Sequence, residues 1–142
     1  MKLVDTNVLV YATNSSAQHH QASRAWLEAT LSGTEGMGFA WLAMIGFVRI
    51  VTNPRVMPAP ISVDQAMESL QDWLGQPSAR VLSPTARHPF VLRDLLREVG
   101  TGGNLVNDAH LAALAIEHRA EIVSYDTDFA RFPGVRWGPP AA

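Results

Sequence analysis

The sequence predicts an α/β fold, with a mostly parallel central sheet flanked by helices in a single domain spanning residues 1–142. Three observations lead there. Short apolar runs of strand length alternate with longer stretches whose apolar residues recur at helical spacing. Apolar residues make up 47% of the chain and charged residues 17%, which supplies a core and argues against disorder. The 142 residues contain no repeat, low-complexity tract or linker, so one domain of ordinary size accounts for them.

Taken in order, Lys2-Leu3-Val4-Asp5 reads as a short buried strand ending at an acid. Val8 to Ala12 follow as a first helical turn or two. His20 to Leu31 form a helix, with Ala22, Ala25, Trp26 and Ala29 at helical spacing and Ser32-Gly33 at its end. Gly36 to Trp41 read as a second strand, and Leu42 to Thr52 as an apolar helix stopped by Asn53-Pro54. Ser62 is the N-cap of a helix whose buried stripe is Ala66, Leu70, Trp73 and Leu74. Arg80 to Leu82 make a strand, and His88 to Val99 a helix closed by Gly100. Asn104 to Arg119 form the clearest helix, then come a strand over Glu121–Ser124, an acidic turn, and a last strand around Val135–Trp137. Helices and strands in alternation favour parallel pairing.

Composition narrows the function classes. There is no cysteine, which excludes disulfide scaffolds, thiolate metal sites and cysteine nucleophiles. The net charge of −2 argues against a protein that coats nucleic acid non-specifically, but leaves room for a local basic rim. The longest uncharged apolar run, Gly36 to Val48, is too short to span a bilayer, and Asp5 interrupts any signal peptide. A soluble cytoplasmic protein without membrane attachment is expected.

The acids carry the chemistry. Asp5 ends the first strand and Asp126 lies just past the strand over Glu121–Ser124, so both fall on the sheet edge where open parallel sheets bind ligands. The helix bearing Asp108 runs into that strand through a very short turn. Ten helical residues from Asp108 to His118 rise about 15 Å, and the strand from Glu121 to Tyr125 returns about 13 Å. Asp108 and Asp126 therefore reach similar height. Singly, each is an ordinary turn or capping residue. Together they repel unless a cation or proton lies between them. No pair of the five histidines has zinc-ligand spacing; His19 and His20 read as surface, and His110 points away from Asp108. An all-oxygen site suits Mg²⁺ or Mn²⁺ and metal-assisted phosphodiester hydrolysis.

These motifs resemble the PIN-domain ribonucleases, specifically the VapC-type toxins of bacterial toxin–antitoxin pairs. Leu3-Val4-Asp5-Thr6-Asn7-Val8-Leu9 is similar to that family's first acidic motif, Asn107-Asp108-Ala109-His110-Leu111 to its helix-borne acid, and Ser124-Tyr125-Asp126-Thr127-Asp128-Phe129 to its last. The resemblance covers essentially the whole chain. It implies cleavage of RNA with Mg²⁺ or Mn²⁺, a homodimer, and a small cognate VapB-type antitoxin. Asp5, Asp108 and Asp126 match the catalytic metal ligands, and Asp128 either orders the turn or joins them. Thr6 and Asn7 orient Asp5 or cap the helix after it, and Ser124 is counted with them as a candidate supporting residue. Asn104, one turn before Asp108, either offers the site an oxygen or caps its helix. Arg49 and Arg55 are candidates for gripping phosphates, Arg49 alternatively for pairing with a site acid.

The chain departs from that family at one position. Where a Glu-x-x-Arg pattern is usual, Gly46-Phe47-Val48-Arg49 stands here. A second metal is thereby placed in question, and a degraded nuclease that only binds RNA or a protein is the alternative reading. A glycine inside a helix is explained by close approach of a neighbour or by room for substrate. The same helix is apolar nearly all round, through Trp41, Leu42, Ile45, Phe47, Val48 and Ile50, which fits either an interface or a buried central helix. Asp5-Thr6-Asn7-Val8 also resembles the nucleophile loop of haloacid-dehalogenase-like phosphatases, but Asn7 replaces their second acid and no lysine follows Lys2.

Overall fold

A computed structural model describes residues 1–141. The elements run β1 (Lys2–Val4), α1 (Thr6–Thr13), α2 (His20–Ser32), β2 (Met37–Phe39), α3 (Trp41–Val51), α4 (Val63–Leu74), β3 (Ala79–Val81), α5 (His88–Val99), α6 (Leu105–His118), β4 (Glu121–Val123) and β5 (Trp137–Gly138). The strands form one sheet in the order β3-β2-β1-β4-β5. Every pairing is parallel, with Lys2 opposite both Met37 and Glu121. The α/β class with a parallel sheet is therefore as the alternation of patterns predicts.

Period-two alternation divides the core. Val4, Phe39 and Val123 face α1 to α4, where Leu9, Trp26, Leu27, Phe47, Ala66 and Leu70 pack around them. Leu3 and Ile122 face the other way, toward Leu95 of α5 and Leu105, Ala109, Leu111 and Leu114 of α6. Burying one such large side chain stabilises the fold by about 1.5–3 kcal/mol. The small Ala109, Ala112, Ala113 and Ala115, all buried, let α6 lie close on the sheet.

Polar contacts fix α5 on α6. Glu117, whose side chain is fully enclosed, accepts hydrogen bonds from Thr85 N at 2.8 Å and Thr85 Oγ1 at 2.6 Å. It also meets His88 Nδ1 at 2.5 Å, and His88 Nε2 lies 2.9 Å from His110 Nδ1. His110 thus points to α5 and away from Asp108, as its helical position implies.

The boundaries shift at several ends, each for a local reason. The first helix begins at Thr6 rather than Val8, because the Asp5 carboxylate accepts from Thr6 N and caps it. Trp41 starts α3 instead of ending β2. The strand expected over Gly36–Trp41 keeps only Met37–Phe39, and β3 and β5 each move by one or more residues. Ser62 caps α4 as expected, in a reciprocal capping box with Gln65. Gly100, at φ 73°, ends α5. Arg119 closes α6 in the left-handed region at φ 55°, and only Ala120 lies between it and β4.

Candidate active site

Two strand ends and one helix bring the acids to the same edge. Asp5 follows β1 and caps α1, Asp126 follows β4 after Ser124 and Tyr125, and Asp108 sits in the first turn of α6. Ser124, fully buried, ties the first two together. Its hydroxyl donates to Asp5 Oδ2 at 2.7 Å, and its oxygen accepts from Asn7 Nδ2 at 3.0 Å and Asp126 N at 2.9 Å. Asn7 completes the frame. Its amide donates to Asp5 Oδ2 at 3.2 Å and accepts from Tyr125 N at 3.1 Å. Thr6 N donates to Asp5 Oδ1 at 2.8 Å. Both oxygens of Asp5 are therefore held by protein donors.

One carboxylate oxygen each from Asp108, Asp126 and Asp128 lie within 4.8 Å of one another. Asp128 N donates to Asp126 Oδ1 at 2.9 Å, so Asp128 both orders the turn and presents its acid. Asp5 stands outside that group of three but within reach of its charge. Burial pushes the Asp5 carboxyl up against the opposing hydrogen bonds from Ser124 and Thr6, and the charge of Asp126 adds to the rise. Asp108 is pushed up to about 7, first by burial, then by the charges of Asp126 and Asp5. Such a group holds a proton or a cation near neutral pH. The donors are all carboxylate oxygens, which fits a hard divalent ion.

Residues 2–135 match the PIN domain family. The chain belongs to it. Within this family it is 54% identical to ribonuclease VapC37 of Mycobacterium tuberculosis, covering 100% of this chain and 99% of that one. Ribonuclease VapC33 of the same organism is 39% identical over 99% of this chain and 98% of its own length. Among solved structures, VapBC2 from Rickettsia felis, bound to a DNA fragment from its promoter, superposes with a TM-score of 0.71. That chain is 21% identical, with 97% of each covered, so it shows the fold.

A cavity of 720 Å³ between α1 and α3 opens onto the acids. Arg49 and Gly46 line it; Arg55 and Asn104 do not. Arg49 forms no ion pair among the described residues. Asn104 occupies the N-cap position of α6, as one of its two expected roles has it, but without a side-chain capping hydrogen bond. Gly46 answers both explanations expected of a helical glycine. It borders the cavity, and a Cβ there would lie 2.8 Å from Thr6 Oγ1. Thr6 in turn donates to Ala43 O at 3.0 Å, locking α1 against α3.

Sequence reasoning missed Tyr11, Asn14 and Asn107, which also line the cavity. Tyr11 and Asn14 lie on the helical repeat that begins at Asn7, a signal the sequence did contain. His19 and His20 are half-buried rather than simply surface. His19 stacks on Tyr125 with ring centroids 4.1 Å apart, and His20 Nδ1 lies 2.9 Å from Tyr11 O.

Proposed function

We propose that residues 1–142 work as one PIN-like unit and are a divalent-metal-dependent endoribonuclease, the VapC-type toxin of a toxin–antitoxin pair. The observation that carries this reading is the convergence of the Asp108, Asp126 and Asp128 oxygens, with Asp108 raised to about 7 beside Asp5. Asp108, Asp126 and Asp128 would hold Mg²⁺ or Mn²⁺, with Asp5, fixed by Ser124, Asn7 and Thr6, contributing its charge at the site rim. A bound ion supplies activation of water and offsets phosphate charge. The chain's own groups do the rest. Ser124 and Asn7 keep the Asp5 carboxylate oriented, and Arg49, free of ion pairs, is placed to draw a phosphate into the cavity.

The full-length identity to proteins named ribonucleases supports RNA as the substrate. The solved VapBC assembly supports a VapB-type antitoxin as partner, and the exposed Trp41 and Ile45 support self-association as a homodimer. No helix among the described residues is long and apolar enough to cross a membrane, which accords with action in the cytoplasm.

The test is cleavage of a loop-containing RNA with added Mn²⁺ or Mg²⁺, comparing wild type with Asp5→Asn and Asp108→Asn. Cleavage by wild type, lost in Asp108→Asn along with a holder of the ion, is expected. Binding of RNA without metal-dependent cleavage would favour the degraded-nuclease alternative.

A further inference from the structure

The cavity extends beyond the acids. Along α1, Asn7, Tyr11 and Asn14 recur at helical spacing and all line it, a span of about 10 Å leading away from the carboxylates. Its volume of 720 Å³ is that of a small-molecule site, far more than an ion and a water need. Ile50, Val56 and Met57 add apolar wall to the same cavity, and Tyr11 is the one aromatic side chain in its lining.

Tyr11 is held in place before any ligand arrives. Its ring meets Tyr125 edge-on at 5.4 Å and His19 at 5.6 Å. Tyr125 is anchored by its hydroxyl, 3.0 Å from Ser23 Oγ, and His19 lies flat upon it. The Tyr11 hydroxyl and Asn14 Nδ2 have no hydrogen-bond partner among the described residues, although Asn14 Oδ1 accepts from Ser16 N. A rigid ring, an apolar wall and an unspent amide donor match the face and the polar edge of a nucleobase.

We propose that this slot binds the base of an unpaired nucleotide beside the scissile phosphate, with Tyr11 stacking on it and Asn14 reading its edge. The proposal rests on the nuclease reading, because a phosphate held at the acids places its own nucleoside in the slot. It makes Tyr11 and Asn14 determinants of substrate choice, and single-stranded or looped RNA the form that fits. Duplex RNA would have to extrude a base to enter.

Binding is measured by fluorescence anisotropy on the wild-type chain with Ca²⁺ in place of Mg²⁺, a larger oxygen-binding ion that keeps the acids occupied while RNA is not consumed. The probes are a random-sequence single-stranded RNA and an abasic ribose-phosphate strand of the same length. The RNA should bind about 5- to 150-fold more tightly than the abasic strand. Tyr11→Leu should abolish that gap and Tyr11→Phe should keep it. If Tyr11→Leu loses its cooperative melt, Asn14→Ala carries the test and should narrow the gap by about 2- to 13-fold. Equal binding of the two strands would overturn the proposal, as would a gap that survives Tyr11→Leu, or Asn14→Ala where that variant is the test. A slot built for a partner peptide would give that equal binding. Wild-type cleavage with Mn²⁺ is scored separately, so failure of the nuclease reading and failure of the base slot give different results.

Discussion

Asp108 is where the charge of the site collects. Its folded-state value of about 7 lies above the ordinary 3.8, so between those pH values the folded chain keeps a proton that the unfolded chain has released. Stability of the metal-free protein therefore falls as pH rises from about 4 through about 7. On the proposed reading, a bound Mn²⁺ would replace that proton. The rise in Tm on adding Mn²⁺ should be larger at about pH 8 than at about pH 5, and Asp108→Asn should remove the difference. An equal rise in wild type and variant would place the ion elsewhere. Gly46 gives a second test at this scale. A Cβ there meets Thr6 Oγ1 at 2.8 Å and Cγ2 at 3.2 Å. Helix propensity favours Gly46→Ala by about 1 kcal/mol, whereas overpacking costs about 1–3 kcal/mol. Thr6 yields only by giving up its bond to Ala43, so the variant should be less stable by about 1 kcal/mol in urea unfolding. Adding Thr6→Ala should cost less in the Gly46→Ala background than in wild type, the coupling expected of residues in contact. The same contact means that an acid at position 46 reaches the carboxylates only if Thr6 moves.

At the scale of elements, α5 is held on α6 through one enclosed carboxylate. Burial pushes Glu117 up, but the Thr85 hydroxyl, His88 and Thr85 N–H hold it below the usual range. Its contribution is present above the ordinary carboxylate pKa and lost as pH falls through the depressed value. Glu117→Ala leaves His88 and Thr85 without their acceptor and should cost about 1–3 kcal/mol. Hydrogen exchange should show faster opening of α5 than of α1. Protection of α5 unchanged from wild type would show that apolar packing alone docks it. The elements themselves were legible because apolar periodicity and capping residues are local. Ser62 and Gly100 marked helix ends before any packing was known. Trp41 was not legible as a helix start, since an apolar residue after an apolar strand carries no boundary signal. The three acidic motifs could be read from order and spacing. The tie through Ser124, the stacking of His19 on Tyr125 and the depth of the slot along Tyr11 could not, because they depend on residues distant in sequence meeting across α1, α2 and the β4 loop.

For the whole molecule, the surface left exposed is as informative as the core. Trp41 and Ile45 are 53% and 60% exposed, and with Val48, Met67 and Leu70 they line an apolar groove between α3 and α4. The helix that reads as apolar all round is thus buried on one side and open on the other. Sedimentation at about micromolar concentration should show a dimer, and Trp41→Glu should shift it toward monomer. An acid at the first position of α3 suits the helix dipole, so the Tm of the dissociated variant should report little damage to the fold itself. A sharp monomer in wild type would count against self-association. The tight join after α6 has a different consequence, for how the chain tolerates changes of length. Arg119 and Ala120 alone separate α6 from β4, with Ala120 N bonded to Ala115 O at 2.8 Å. The relative height of Asp108 and Asp126 is consequently set by counting residues. One residue inserted there would slip β4 by one place, turning Ile122 and Val123 to the wrong faces and carrying Asp126 off the edge. The connection 101–103 sets no such count. Insertions should be accepted there and refused at Arg119-Ala120, where residue number alone sets the geometry of the candidate site.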